Sequence, residues 1–160
     1  MNYASLLHAS CVDFTGWSTV LQVSGCHHAC KGCFNKAAWK SSYGQPFAEE
    51  VYQELLEAAR KPFIDQVVLQ GGDSLYRKNV KDTIILCQRL NKDLGKPIVL
   101  FTGFTYEQIK DDLILQQILP LVSYIMDGKY EHDNPTTKPF RGSDNQVLHT
   151  ISNSISIAQN

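Results

Sequence analysis

The sequence is short of several things, and each shortage removes a class of function. Lys and Arg number 15 against 16 Asp and Glu, a formal net charge of -1, so no cationic excess exists to hold a nucleic-acid backbone or an anionic membrane. No run approaches the roughly 20 apolar residues of a membrane-spanning helix. The opening MNYASLLHASCVDF has no basic segment leading into a long apolar one, so no export signal is expected. No internal repeat, low-complexity tract or Pro/Gly/Ser linker divides the chain. What remains is one domain over residues 1–160, with 43% hydrophobic content for its core, expected in the cytoplasm without nucleic-acid or membrane partners.

The patterning that is present alternates between two periods. STVLQVSG, QVVLQGGD, PIVLFTG and LVSYIMDG are short strand-like runs, each cut off by glycine. FAEEVYQELLEAAR sets Phe47, Val51, Leu55 and Ala58 on one helical face. VKDTIILCQRLNKDLG does the same with Val80, Ile84, Cys87 and Leu90, with Gly95 as its cap, and a weaker helix is predicted from Thr105 to Leu119. Alternating strands and helices imply βα units and a parallel sheet, an α/β fold. A full eight-fold barrel takes about 250 residues, so the expectation is a partial TIM-like barrel, with an open sheet as the alternative. In either form GCHHACKGC, GGD, FTG and MDG would gather at one rim, where α/β active sites form.

Five cysteines fit a reducing compartment, and three of them, Cys26, Cys30 and Cys33, crowd into SGCHHACKGCFN. They are too close together to staple distant segments. A zinc site would need a fourth ligand from His27, His28 or Cys11, and no second ligand pair follows at zinc-like spacing. Thiol exchange would use CKGC alone. An iron–sulfur cubane normally takes four thiolates, so a cluster on three keeps one iron open to a substrate. Gly25, Ala29 and Gly32 are small enough for a short loop to wrap such a core. Cys87, on an apolar helical stripe, is read as core. A histidine beside the cysteines is more often neither ligand nor base, which applies to both His27 and His28.

The C-x3-C-x2-C spacing resembles that of the radical S-adenosylmethionine enzymes. GCHHACKGCFN, with Phe34 after rather than before the third cysteine, is similar to their anaerobic ribonucleotide reductase activating subfamily. The likeness runs on through QGGDSL, IVLFTGFT, MDGKYE and FRGSDNQV, over residues 20–148. It implies a [4Fe-4S] cluster on Cys26, Cys30 and Cys33, chelating S-adenosylmethionine. It sets Gly32 and Phe34 against the adenine, Gly71, Gly72 and Asp73 against the methionyl ammonium, and Thr102 on the same rim. Phe34 as core, and glycines that only end strands, are the competing structural readings. Asp127 and Arg141 are candidate contacts to cosubstrate or partner, against a strand end and a solvated loop charge. No catalytic side chain is implied beyond cluster and cosubstrate. The implied activity is reductive cleavage of S-adenosylmethionine to place a glycyl radical on the large anaerobic ribonucleotide reductase subunit. The electron would come from an external donor such as a flavodoxin-like protein. The alternatives are a radical enzyme acting on another glycyl-radical protein or a small molecule, and a zinc-binding interaction module.

Overall fold

A computed structural model describes residues 1–151; the end of the tail TISNSISIAQN, residues 152–160, lies outside the described residues. The strands are β1 (Asn2–Ser10), β2 (Ser18–Val23), β3 (Gln45–Pro46), β4 (Gln66–Gly71), β5 (Ile98–Phe101), β6 (Tyr124–Asp127) and β7 (Val147–Thr150). The helices are α1 (Glu49–Ala59), α2 (Val80–Asp93) and α3 (Tyr106–Asp111), with 3₁₀ turns at Lys36–Trp39 and Leu115–Leu121. Among the described residues, no helix is long and apolar enough to cross a membrane.

All seven strands form one sheet in the order β3-β1-β2-β4-β5-β6-β7. The centre, β2-β4-β5-β6, is parallel, as the βα alternation requires. The edges correct the expected all-parallel sheet: β1 returns antiparallel to both β2 and β3, and β7 runs antiparallel to β6. β1 escapes a periodicity reading because NYASLLHAS does not alternate and most of it is only half-buried. β7 is a four-residue edge strand, too short to carry a pattern. The result is a mixed α/β domain.

The two faces of the sheet are covered differently. Leu21, Val23, Val67, Leu69, Ile98, Leu100 and Ile125 pack with Leu55 and Leu56 of α1 and Ile84, Cys87 and Leu90 of α2. Fully burying a side chain of this kind stabilises by about 1.5–3 kcal/mol, so this face carries most of the core. The opposite residues, Val20, Val68 and Val99, are covered by Phe14 from the β1–β2 connection and by Phe140 from the last long loop. The two rings meet at 5.1 Å. The parallel strands follow one another in chain order, so the sheet lacks the reversal that gives a doubly wound fold its switch-point crevice.

The helix expected over 105–119 is broken in two. Thr105 and Gln108 form a capping box that starts α3. Asp112 then leaves the helical region, and its Oδ1 accepts from the N–H groups of Ile114 and Leu115 at 2.8 and 3.0 Å, starting the 3₁₀ turn that holds Pro120. Gly95 does end α2, with φ +69° and its N–H donating to Leu90 O at 3.1 Å.

Candidate metal centre

The cysteine loop leaves β2 at its C-terminal end and is tied back by backbone bonds. Gly25 N–H donates to Ala38 O at 2.7 Å, and Cys26 N–H to Trp39 O at 3.1 Å. Cys33 N–H closes a turn on Cys30 O at 3.2 Å. Between the first two cysteines Ala29 holds φ +50°, a conformation uncommon outside glycine. The loop after β4 packs directly against this one: Gly72 N–H donates to Val23 O at 2.7 Å and Asp73 N–H to Gly25 O at 2.8 Å. A Cβ on Gly72 would come within 2.7 Å of Gly25 O, so only glycine lets the two backbones meet.

Cys26, Cys30 and Cys33, all partly exposed free thiols, face a cavity of about 320 Å³ at the C-terminal edge of the parallel strands. Gln70, Phe101 and Met126, from β4, β5 and β6, line it with the cysteines. Of the other residues singled out in the sequence, Phe34, Gly71, Gly72, Asp73 and Thr102 also line it. Phe34 is 91% exposed, which removes it from the core, and its ring lies 5.7 Å from Tyr130. Gly32 is not on the cavity wall; at φ +74° it faces His132, whose Cγ a Cβ there would meet at 2.8 Å. Asp127 and Arg141 are not on the wall either. The Asp127 carboxylate accepts from Tyr106 N–H at 2.7 Å and Val147 N–H at 3.1 Å. Arg141 donates through Nε to Gln146 O at 2.9 Å, holding its own loop together.

The donor set fits a cluster held by three thiolates. Burial is the main cause that pushes the Cys26 thiol up to about 11, against a hydrogen bond from the His28 backbone; the charges of Asp73, Cys30 and Cys33 raise it further. A bound cation would offset this and favour the Cys26 thiolate. Among the described residues, no three His, Cys, Asp or Glu side chains converge on one point as a single ion requires. A cubane instead spreads its irons over separate corners and takes one ligand at each. Of the extra zinc ligands considered from the sequence, Cys11 and His27 lie off this cavity, and His28, on its wall, is engaged by Asp73. Cys11 is exposed beyond Ser10, which pairs with Ser18 at the opposite end of β2 from the loop. The His28 Nε2 is 2.6 Å from Asp73 Oδ2, and the His27 ring stacks on Tyr76 at 5.5 Å, lining a separate cavity.

Asp73 is the hub that the sequence reading saw only in part. At 1% exposure, its Oδ1 accepts from Leu75 N–H at 2.8 Å and from the Thr102 hydroxyl at 2.9 Å. Its Oδ2 accepts from Gly103 N–H at 2.9 Å and faces His28. The GGD and FTG loops are thus joined through this one carboxylate. His28 and Tyr130 line the cavity without having been singled out for it, and Gly103 lines it beside Thr102, where FTG was expected. The usable signal for His28 was its place between two cysteines, opposite an acid that needed a partner.

Residues 12–149 match the family model described as "4Fe-4S single cluster domain". The chain is 38% identical to the anaerobic ribonucleoside-triphosphate reductase-activating protein of Enterobacteria phage T4 over 149 residues, covering 92% of this chain and 93% of that one. The proteins of the same name from Pasteurella multocida and Escherichia coli are each 33% identical, over 153 and 155 residues. Those alignments span 93% and 94% of this chain, and 97% and 99% of the relatives. By the first match this chain belongs to the family of 4Fe-4S single cluster domains, and by the others to that of the anaerobic ribonucleoside-triphosphate reductase-activating proteins.

Proposed function

We propose that this protein is a radical S-adenosylmethionine enzyme that installs a glycyl radical on an anaerobic ribonucleoside-triphosphate reductase. The carrying observation is a cavity with three thiols and one carboxylate, the latter already saturated by protein donors. Cys26, Cys30 and Cys33 would hold a [4Fe-4S] cluster that, once reduced by an external one-electron donor, would supply the electron to split S-adenosylmethionine into methionine and a 5′-deoxyadenosyl radical; that radical would become 5′-deoxyadenosine by taking a hydrogen atom from a glycine of the large reductase subunit.

The chain's own work is binding, orientation and exclusion of water. Gly71 and Gly72 present bare backbone at the cavity edge, where the amino-acid end of S-adenosylmethionine would lie. Phe34 has no core to fill and is free to fold onto the adenine, with Gly32 shaping the turn that carries it. Phe101 and Met126 line the apolar wall that keeps a reactive carbon from solvent. Thr102 acts through Asp73, and Asp127 and Arg141 set the loops at the cavity mouth, where the partner would approach. We read the sheet as a partial barrel, because its parallel strands run in one sense and its inner face carries loops in place of helices. A protein loop could enter from that open side. Five free cysteines suit a reducing cytoplasm, with a flavodoxin-like protein as donor.

The test is anaerobic reconstitution followed by reduction with S-adenosylmethionine and a cognate reductase present. The expected products are 5′-deoxyadenosine and a glycyl-radical signal in the reductase. A verified, reduced cluster that releases no 5′-deoxyadenosine rejects the proposal. Nucleoside release without a signal in the reductase redirects it to another substrate.

A further inference from the structure

A second cavity, of about 690 Å³, lies on the other side of the cysteine loop, with Leu75, Val80, Phe104 and Leu115 among its apolar walls. Leu75, Val80 and Leu115 belong to the helix-side core, so this cavity is on the side of the sheet away from Phe14 and Phe140. His27 links it to the metal centre. That residue follows Cys26 in the chain, lines this cavity, and packs its ring on Tyr76 at 5.5 Å and Phe104 at 5.4 Å. The cysteine loop is therefore a partition, with the three thiols toward one cavity and His27 toward the other.

The charge beside this second cavity has one dominant sign. Arg77 and Lys81 line it, Lys78 adjoins them in the chain, and all three are exposed. Lys31, Arg89, Lys110 and Lys138 each hold a carboxylate, whereas the side chains of Arg77, Lys78 and Lys81 hold none among the described residues. The nearby acids are turned to other donors: Asp82 takes the N-terminal ammonium of Met1, and Asp112 accepts from the N–H groups of Ile114 and Leu115. In a chain of formal net charge -1 this cluster is a local reversal of sign. Ile114, on the cavity wall, is 46% exposed, and Leu113 beside it 79%. An apolar centre with a charged rim is the anatomy of a protein–protein contact.

Transient electron-transfer contacts bury little area and rely on complementary charge for encounter. The function proposed above, on which this inference rests, needs an electron from outside and receives the reductase on the open inner face. A carrier on the helix side would reach the metal centre across one loop and leave the approach of the reductase free. We propose that Arg77, Lys78, Lys81 and the cavity behind His27 dock an acidic one-electron carrier protein. Its anionic flavin hydroquinone gives up one electron and becomes the neutral semiquinone, and a [4Fe-4S] cluster on the three cysteines accepts that electron.

The test is anaerobic stopped-flow reduction of the cluster-loaded protein by flavodoxin hydroquinone, with the affinity for oxidised flavodoxin measured alongside by calorimetry. Arg77→Glu/Lys81→Glu should slow reduction about tenfold at low ionic strength, weaken flavodoxin binding in parallel, and remove the fall of both with added salt. Lys61→Glu/Lys92→Glu makes the same change of net charge after α1 and in the last turn of α2, at the opposite end of the parallel strands, and should keep rate and affinity near wild type. Dithionite should reduce all three proteins fully. Equal slowing by the two pairs, or no slowing by either, overturns the proposal, as does a wild-type protein that flavodoxin neither binds nor reduces. It is also overturned if Arg77→Glu/Lys81→Glu weakens binding of the reductase and leaves flavodoxin unaffected. Should that variant not take up iron and sulfide, the neutral pair Arg77→Gln/Lys81→Gln decides by the same comparison. If flavodoxin reduces the wild-type protein in the expected pattern but S-adenosylmethionine then yields no 5′-deoxyadenosine, the proposed function falls and the docking surface stands.

Discussion

The side-chain amide of Asn79, 1% exposed at the start of α2, donates to Ser24 O at 2.8 Å and to Asp73 O at 2.9 Å. It thereby ties the residue that opens the cysteine loop to the one that closes the glycine pair. Asn79→Ala leaves both carbonyls without this donor, and the expected loss is about 1–3 kcal/mol. Urea midpoints of the cluster-free protein measure it, and iron per chain after reconstitution should fall with it. A variant as stable as the wild type would show that the amide does not hold the two loops together.

Gly103→Ala places a methyl group against the His28 ring. Overpacking of this kind costs about 1–3 kcal/mol. Gly95→Ala is the control: its φ of +69° is strained for alanine, yet nothing lies within 4 Å of the new methyl. Both variants should melt lower, but only Gly103→Ala should also weaken S-adenosylmethionine binding. Equal affinities in the two would mean that the His28 ring is free to move aside.

Replacing Cys26, Cys30 or Cys33 singly with serine should abolish the brown chromophore and reduce bound iron and sulfide to a small remainder. Cys11→Ser should keep the full complement, because Cys11 is exposed at the far end of β2. Iron and sulfide assays after anaerobic reconstitution decide this. A cluster lost on Cys11→Ser would point to a fourth protein ligand and contradict the open iron of the proposed function.

Besides the Cys26 thiol, two buried groups on the helix side should govern the alkaline stability of the cluster-free protein. Burial pushes the Cys87 thiol from 9.0 to about 12. Burial, then the hydrogen bond to Asp93, pushes the Tyr52 hydroxyl from 10.0 to about 12. In both the folded chain keeps the proton longer than the unfolded chain does. Their contribution is complete below the unfolded values and is lost as pH rises toward the folded ones. The cluster-free protein should thus lose stability from pH 9 upward, at about 1.4 kcal/mol per pH unit for each proton the unfolded chain sheds first. Cys87→Ala should flatten the slope between pH 9 and 10; denaturant titrations giving the same slope for both proteins would contradict the assignment.

The central β2-β4-β5-β6 strands, α1 and α2 were legible because period-2 and period-3.6 patterns report burial on one face, a local property of the chain. The antiparallel strands β1, beside the β3 edge, and β7, at the other edge, were not, since their pairing comes from distant partners and their sides are half-exposed. The long third helix failed for a local reason, the Asp112 side chain competing for backbone N–H groups.

The amino-acid sequence by itself determined that three thiols share one site, because cysteines within one short loop are brought together by chain connectivity whatever the rest does. It also determined that the glycine-terminated strands share a rim, because parallel strands joined by helices have no other arrangement. Only the tertiary structure decided what the side chains of that rim do. Asp73, Thr102 and Gly103 bond to one another across 29 and 30 positions of sequence, and His28 meets Asp73 across 45. Whether a carboxylate faces a ligand or is consumed by its neighbours depends on donors arriving from other loops. No spacing along the chain records that.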